Sequence, residues 1–189
     1  MLINKGMENW KNKRGVEFLK KIGIKPNQIV LDFGCGKGNY SIPAAKIVNK
    51  KGFVYALDKN PEVLSQLNNK ARKEGLNIKT INGSGIKTNL KDNMMDVVLL
   101  YDIIHLVGKD DSSTYNDRKR LYKEIYRLTK TNGLISVYPT HLQTHTDVNL
   151  IEDIKKEFVN YFKFEKEFFE ELVHDDRKTK GYILNFRKE

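Results

Sequence analysis

Short apolar runs alternate with longer stretches of helical periodicity along most of the chain, and the pattern changes near its end. Trp10, Val16, Phe18, Leu19 and Ile22 recur at roughly helical spacing, and Gly23 is placed to end that helix. Pro26-Asn27 turns into Ile29-Val30-Leu31-Asp32-Phe33, an unbroken apolar run of the kind buried parallel strands carry. A helix is predicted over residues 40–48, and Lys51-Gly52 turns into a second strand, Phe53 to Asp58. Asn60 is a suitable N-cap with Pro61 at the first helical position, opening a helix that runs to Glu74 and stops at Gly75. Strands follow at residues 77–81 and 97–101, then an amphipathic helix over 117–129 with Leu121, Ile125 and Leu128 on one face. Asn132-Gly133 leads into a fifth strand, Leu134 to Tyr138, and residues 148–161 carry another helical stripe.

The tail reads differently. Phe162 to Lys166 and Tyr182 to Phe186 alternate as antiparallel strands do. Five strands joined by right-handed crossovers and closed by this hairpin predict a doubly wound α/β sheet, Rossmann-like, in one domain. Its parts are an N-terminal helical segment (1–25), a core (26–140) and a C-terminal helix with the β-hairpin (141–189). Ligands on such sheets bind beyond the carboxyl ends of the strands.

Composition changes this picture little. The chain has 189 residues, enough for one sizeable core, and no apolar run approaches the ~20 residues that span a bilayer. One cysteine excludes an internal disulfide or a cysteine-rich metal site. With no signal-peptide pattern at Met1 to Lys5, a soluble cytoplasmic protein is expected. The net charge of +10 is biased, since residues 1–30 hold seven basic residues against two acidic ones. A nucleic-acid or other anionic partner is one reading of that bias, and lysines scattered over solvated faces are the other.

The first strand ends in Asp32-Phe33-Gly34-Cys35-Gly36-Lys37-Gly38, an acid followed by three alternate glycines that open a helix. Glycine permits the sharp turn and lets a ligand approach where a Cβ would collide. Asp58 closes the second strand 20 residues after Gly38, where a carboxylate can accept hydrogen bonds from both hydroxyls of a ribose. Dinucleotide sites place the third glycine one position later, where this chain has Asn39. A cofactor with adenosine and no phosphate suits the pattern better.

These residues resemble motif I and the ribose-binding acid of class I S-adenosylmethionine-dependent methyltransferases, of the small single-domain type. The likeness extends over residues 14–140: Asp96 to Tyr101 is similar to the family's fourth motif, and Arg120 to Gly133 to its helix and turn before strand five. It implies a seven-stranded sheet of order 3-2-1-4-5-7-6 with an antiparallel C-terminal hairpin. It also implies S-adenosylmethionine as cofactor, S-adenosylhomocysteine as product, and methyl transfer as the activity. Asp32, Gly34, Cys35, Gly36, Gly38, Asp58, Lys59, Ser84, Gly85 and Tyr101 are the cofactor-binding residues it implies, with Lys59 along the adenine and Tyr101 and Asp102 near the methionine end. Ser84 departs from the pattern, standing where the family usually has an aspartate that contacts the adenine amino group.

The acceptor is less legible. His105, a few residues beyond strand four, is a candidate general base; a backbone-satisfied turn histidine is the alternative. His141 and His145 are four apart, but nothing accompanies them to complete a metal site, and Asp110-Asp111-Ser112-Ser113 reads as a solvated loop. No metal is expected. Tyr101-Asp102-Ile103-Ile104 stands where amino-methylating enzymes of nucleic-acid bases carry Asn/Asp-Pro-Pro-aromatic, and Cys35 lies in the glycine turn, not in a place for cytosine-C5 chemistry. A small-molecule acceptor is expected, with an RNA or protein substrate docking on the basic N-terminal segment, or a non-catalytic cofactor-binding protein, as the alternatives.

Overall fold

The computed structural model describes residues 2–83, 86–104, 114–139, 148–174 and 176–189. Seven strands form one sheet: β1 (Ile29–Phe33), β2 (Phe53–Asp58), β3 (Ile78–Asn82), β4 (Met95–Tyr101), β5 (Thr129–Tyr138), β6 (Lys163–His174) and β7 (Arg177–Arg187). Their order is β3-β2-β1-β4-β5-β7-β6, with β1 to β5 parallel and β7 antiparallel to both its neighbours. The expected topology is the one observed.

The helices obey local chemistry. Helix α1 (Leu2–Asn9) continues through a π-helical turn (Trp10–Arg14) into α2 (Gly15–Ile22), which stops at Gly23 with φ 120°. Helix α3 spans Ser41–Val48. In α4 (Pro61–Glu74) the Asn60 side chain accepts from the backbone N–H groups of Glu62 and Val63, and Gly75 closes the helix at φ 64°. Thr114 and Asp117 form a reciprocal capping box at the start of α5 (Tyr115–Leu128), and α6 covers Val148–Phe158.

Strand periodicity divides the core between two faces. Val97, Leu99 and Tyr101 of β4 face the cluster made with Phe18, Leu19 and Ile22 of α2 and with α3. Val98 and Leu100 face the other cluster, built with Leu121 and Ile125 of α5 and Phe158 of α6. A buried sheet of this kind leaves its chemistry to the loops at the strand ends.

Three strands run well beyond the predicted pattern. Strand β5 begins at Thr129 rather than Leu134, and the expected turn residue Asn132 is absorbed as a left-handed kink (φ 62°) inside it. The Lys188 backbone holds that kink, its carbonyl accepting from Asn132 N–H at 2.8 Å and its N–H donating to the Gly133 carbonyl at 3.2 Å, while its ammonium donates to Asn93 Oδ1 and to the carbonyls of Tyr126 and Thr129 at 2.7–2.8 Å. The hairpin strands have 12 and 11 residues, about twice the alternating segments. Their distal halves run past the sheet, where Leu172, Val173 and Ile183 join the cluster of α2 and α3.

Candidate functional site

At the carboxyl end of β1 the chain reverses on three glycines, all with positive φ: Gly34 at 78°, Gly36 at 47° and Gly38 at 75°. Their surroundings differ. A Cβ on Gly34 would lie 2.7 Å from Ile103 Cδ1 and one on Gly38 2.4 Å from Leu67 Cδ1, whereas one on Gly36 would meet nothing within 4 Å. Gly34 and Gly38 therefore permit close packing, and Gly36 keeps a face of the turn bare.

The turn is locked to β2. Gly34 N–H and Cys35 N–H both donate to the Leu57 carbonyl at 2.8 and 2.9 Å, and Gly38 N–H donates to the Cys35 carbonyl at 2.9 Å. Asp58 completes the link: its Oδ2 accepts from Gly36 N–H at 2.8 Å and its Oδ1 from Asn60 N–H at 2.9 Å. The turn and the acid, 22 residues apart, thus form one hydrogen-bonded unit.

A cleft of about 330 Å³ opens against this unit, lined among others by Gly34, Cys35, Gly36, Tyr101, Asp102 and Val173, a size at the lower end of small-molecule sites. A more open groove of about 590 Å³ lies over Lys13, Arg14, Glu17 and Lys178. Its Arg14 and Lys178 both pair with Glu171, and no residue of the glycine turn lines it, so the smaller cleft is the candidate site.

The apolar wall of the cleft is aromatic. Tyr40 and Tyr101 meet edge to face with centroids 4.6 Å apart. Each phenol is bonded inward, Tyr40 O–H to the Val173 carbonyl at 2.8 Å and Tyr101 Oη with Ser136 Oγ at 2.8 Å. Burial raises the pKa of both phenols, so they stay neutral at physiological pH. Burial likewise pushes the Cys35 thiol up; it is a compact, inert filler of the turn.

Asp32 lies beneath the turn, 2% exposed, and Ser41 Oγ donates to its Oδ2 at 2.5 Å. Burial raises its pKa to about 6, against the Ser41 hydrogen bond and reinforced by the Asp58 carboxylate. Asp32 therefore ties the end of β1 to the start of α3.

Of the residues expected at the site, Asp32, Gly34, Cys35, Gly36, Gly38, Asp58 and Tyr101 are brought together. Lys59 is exposed just beyond Asp58, its carbonyl accepting from Asn82 Nδ2 at 3.1 Å. Ser84, Gly85, His105, His141, His145 and the segment 110–113 lie outside the described residues. Among the described residues no group of three or more His, Cys, Asp or Glu is placed to hold a metal, and no helix is long and apolar enough to cross a membrane. Sequence reasoning missed Asn39, Tyr40, Val63, Val173 and Asp176. Tyr40 was within reach, being the aromatic that follows the glycine turn; Val173 and Asp176 carry no local signal.

Comparison with known proteins accords with this geometry. A methyltransferase domain family matches residues 24–186. A demethylmenaquinone methyltransferase of Lactobacillus johnsonii is 31% identical over 166 residues, covering 86% of this chain and 63% of its own length. One from Geobacillus stearothermophilus is 25% identical, covering 92% of this chain and 68% of its own length. The chain thus spans about two thirds of the relatives it matches. An S-adenosylmethionine-dependent methyltransferase from Aquifex aeolicus shares the fold, with a TM-score of 0.66 at 20% identity over 95% of this chain and 91% of that one. With the sheet order, the glycine turn and Asp58 in place, the chain belongs to the class I S-adenosylmethionine-dependent methyltransferase family.

Proposed function

We propose that this chain binds S-adenosylmethionine in the glycine-turn cleft and transfers its methyl group to a small-molecule acceptor. The observation that carries the reading is the joining of Gly36 to Asp58. It sets a carboxylate beside a backbone surface that no Cβ obstructs, the combination a ribose diol and its attached chain require. Two hydrogen bonds from a diol to a carboxylate contribute roughly 1.5–3 kcal/mol each in a shielded cleft. The relatives named as demethylmenaquinone methyltransferases and the modest size of the cleft support a small acceptor.

When bound, the cofactor supplies a methyl group on a sulfonium, already electrophilic without activation by the protein. The chain's own part is placement. Asp58 would hold the ribose, and the turn from Gly34 to Gly38 would lie along the amino-acid chain. Tyr40 and Tyr101 exclude water from the inner wall, with their hydroxyls turned away into Val173 and Ser136. Positioning of this kind supplies several kcal/mol, up to ~7–11 in the best intramolecular cases. Since burial holds both phenols and the Cys35 thiol protonated, none of the three takes a proton from an acceptor.

Calorimetry tests the proposal. S-adenosylmethionine and S-adenosylhomocysteine are expected to bind more tightly than NAD, and Asp58→Ala to weaken them by about 2 kcal/mol, roughly thirtyfold. Tighter binding of NAD, or an Asp58→Ala variant with undiminished affinity, overturns it. Transfer of a labelled methyl group to the small-molecule fraction of a cell extract, and not to RNA or protein, tests the acceptor class.

A further inference from the structure

Two segments far from the glycine turn in sequence meet on it. From the N-terminal stretch, Trp10 Nε1 donates to the Asn39 carbonyl at 2.8 Å and Lys11 Nζ to the Lys37 carbonyl at 3.1 Å. Lys11 is only 8% exposed, a placement lysine accepts when its ammonium has a partner. From the tip of the hairpin, Asp176 Oδ2 accepts from Lys37 Nζ at 2.7 Å and Asp176 Oδ1 from Asn39 Nδ2 at 3.2 Å. Lys37 and Asn39 are thus held through their carbonyls by one segment and through their side chains by the other.

Asp176 adopts a left-handed backbone conformation. It sits at φ 59° between β6 and β7, where His174 and Arg177 pair across the hairpin. Aspartate, like asparagine and glycine, is accommodated at left-handed positions in tight turns, so the turn itself does not require the contacts its side chain makes. The bond from Lys37 holds the carboxyl below the usual carboxylate range in spite of partial burial. Asp176 also lines the cleft, together with Lys37 and Asn39. The side chain therefore serves the cleft more than the hairpin that bears it. Trp10 and Lys11 lie outside residues 24–186, the region that matches the methyltransferase domain family.

We propose that Asp176 is a positioning residue for the cofactor: together with Lys11 it clamps residues 37–39 of the glycine turn and closes the rim of the cleft, so that release of the clamp sets how fast the cofactor leaves. The proposal rests on the reading of the cleft as the S-adenosylmethionine site.

The protein contains one tryptophan, and it is the residue bonded to Asn39, so its emission reports on the clamp. Dissociation of S-adenosylhomocysteine is followed by stopped-flow fluorescence of Trp10, with affinity from calorimetry, in the wild type, Asp176→Gly and Asp176→Asn. Asp176→Gly is expected to release the ligand about tenfold faster and to bind it correspondingly more weakly. Its ligand-free melting temperature is expected to stay level or rise, because glycine adopts this φ without strain. Asp176→Asn, which keeps an acceptor oxygen but not the charge, is expected to fall between. A wild-type release rate in Asp176→Gly overturns the clamp. So does a loss of affinity accompanied by a fall in melting temperature, which would make Asp176 a structural residue of the hairpin. Failure of the wild type to bind S-adenosylhomocysteine overturns the cofactor reading itself, and is seen before any variant is compared.

Discussion

The two flanks of the cleft are built in opposite ways. On the β1–β2 side each contact closes a short span or a single crossover: Gly38 to Cys35, Gly34 and Cys35 to Leu57, Gly36 to Asp58. On the hairpin side the contacts join residues 133 to 139 positions apart, Tyr40 to Val173 and Lys37 to Asp176. The first flank forms as the parallel strands pair, and its geometry is dictated by glycine and by the register of β1 on β2. The second forms only once the hairpin has docked, after the entropy of a long loop has been overcome. The turn flank is thus fixed by backbone geometry within the core, whereas the opposite wall joins buried Leu172 and Val173 to polar contacts at its rim that substitutions can loosen with the fold intact.

Two alanine substitutions only two positions apart, at glycines of the same turn, probe the first flank most severely. Gly38→Ala forces a Cβ to 2.4 Å from Leu67 at φ 75°, and a loss of about 4 kcal/mol or more in urea unfolding is expected from strain and overpacking together. Gly36→Ala meets no neighbour, so it is expected to cost only about 1–2 kcal/mol of stability. Its methyl group, however, projects where the cofactor would lie, and affinity for S-adenosylhomocysteine is expected to fall at least tenfold. Equal stability losses in the two variants would break the claim that packing and ligand approach are divided between these glycines.

Asp32 gives the next largest effect and concerns charge on the same flank. Its folded-state pKa of about 6 lies above the ordinary 3.8. Between these values the folded protein holds more protons than the unfolded one, so stability falls as pH rises from about 4 to about 6. The full cost, about 3 kcal/mol, is present at neutral pH. Asp32→Asn keeps an acceptor for Ser41 and removes the buried charge. It is expected to match the wild type near pH 4 and to exceed it by about 2–3 kcal/mol at pH 7 in urea unfolding. A variant no more stable at pH 7 than at pH 4, relative to the wild type, would show that Asp32 does not bear its charge at a cost.

This contrast also explains what could be read from the amino-acid sequence. The caps at Asn60 and Gly75 follow from residues close together, the glycine turn and Asp58 from a fingerprint of fixed spacing, and the sheet order from the family resemblance those motifs carry. The extension of β5 back to Thr129 does not, because the kink at Asn132 is held by Lys188, more than fifty positions away. The wall made by Val173 and Asp176 was likewise illegible, since the reach of the hairpin depends on packing against Phe18, Leu19 and Tyr40 rather than on its own alternation. The basic N-terminal segment was legible as charge and not as partner: Lys11 is spent on the Lys37 carbonyl, Arg14 on Glu171 and Lys21 on Glu170.

Those last pairs supply the smallest effect and the sharpest reading of the second flank. Arg14 and Glu171 approach to 2.6 Å, and Lys21 also pairs with Glu170, with the basic partners 41% and 57% exposed. Exposed ion pairs contribute little, so a double-mutant cycle on Arg14 and Glu171 is expected to give a coupling of about 0.5 kcal/mol, reduced at high salt. Apolar contacts of Leu172 and Val173 therefore dominate the docking of the hairpin, and charge serves to fix its register against α2. Neutralising Arg14 and Lys21 together is then expected to leave S-adenosylhomocysteine affinity within about twofold of wild type, because neither pair reaches Lys37 or Asn39. A larger loss would mean that the two walls are coupled through the N-terminal helices, and that the hairpin is as much a part of the cofactor site as the glycine turn.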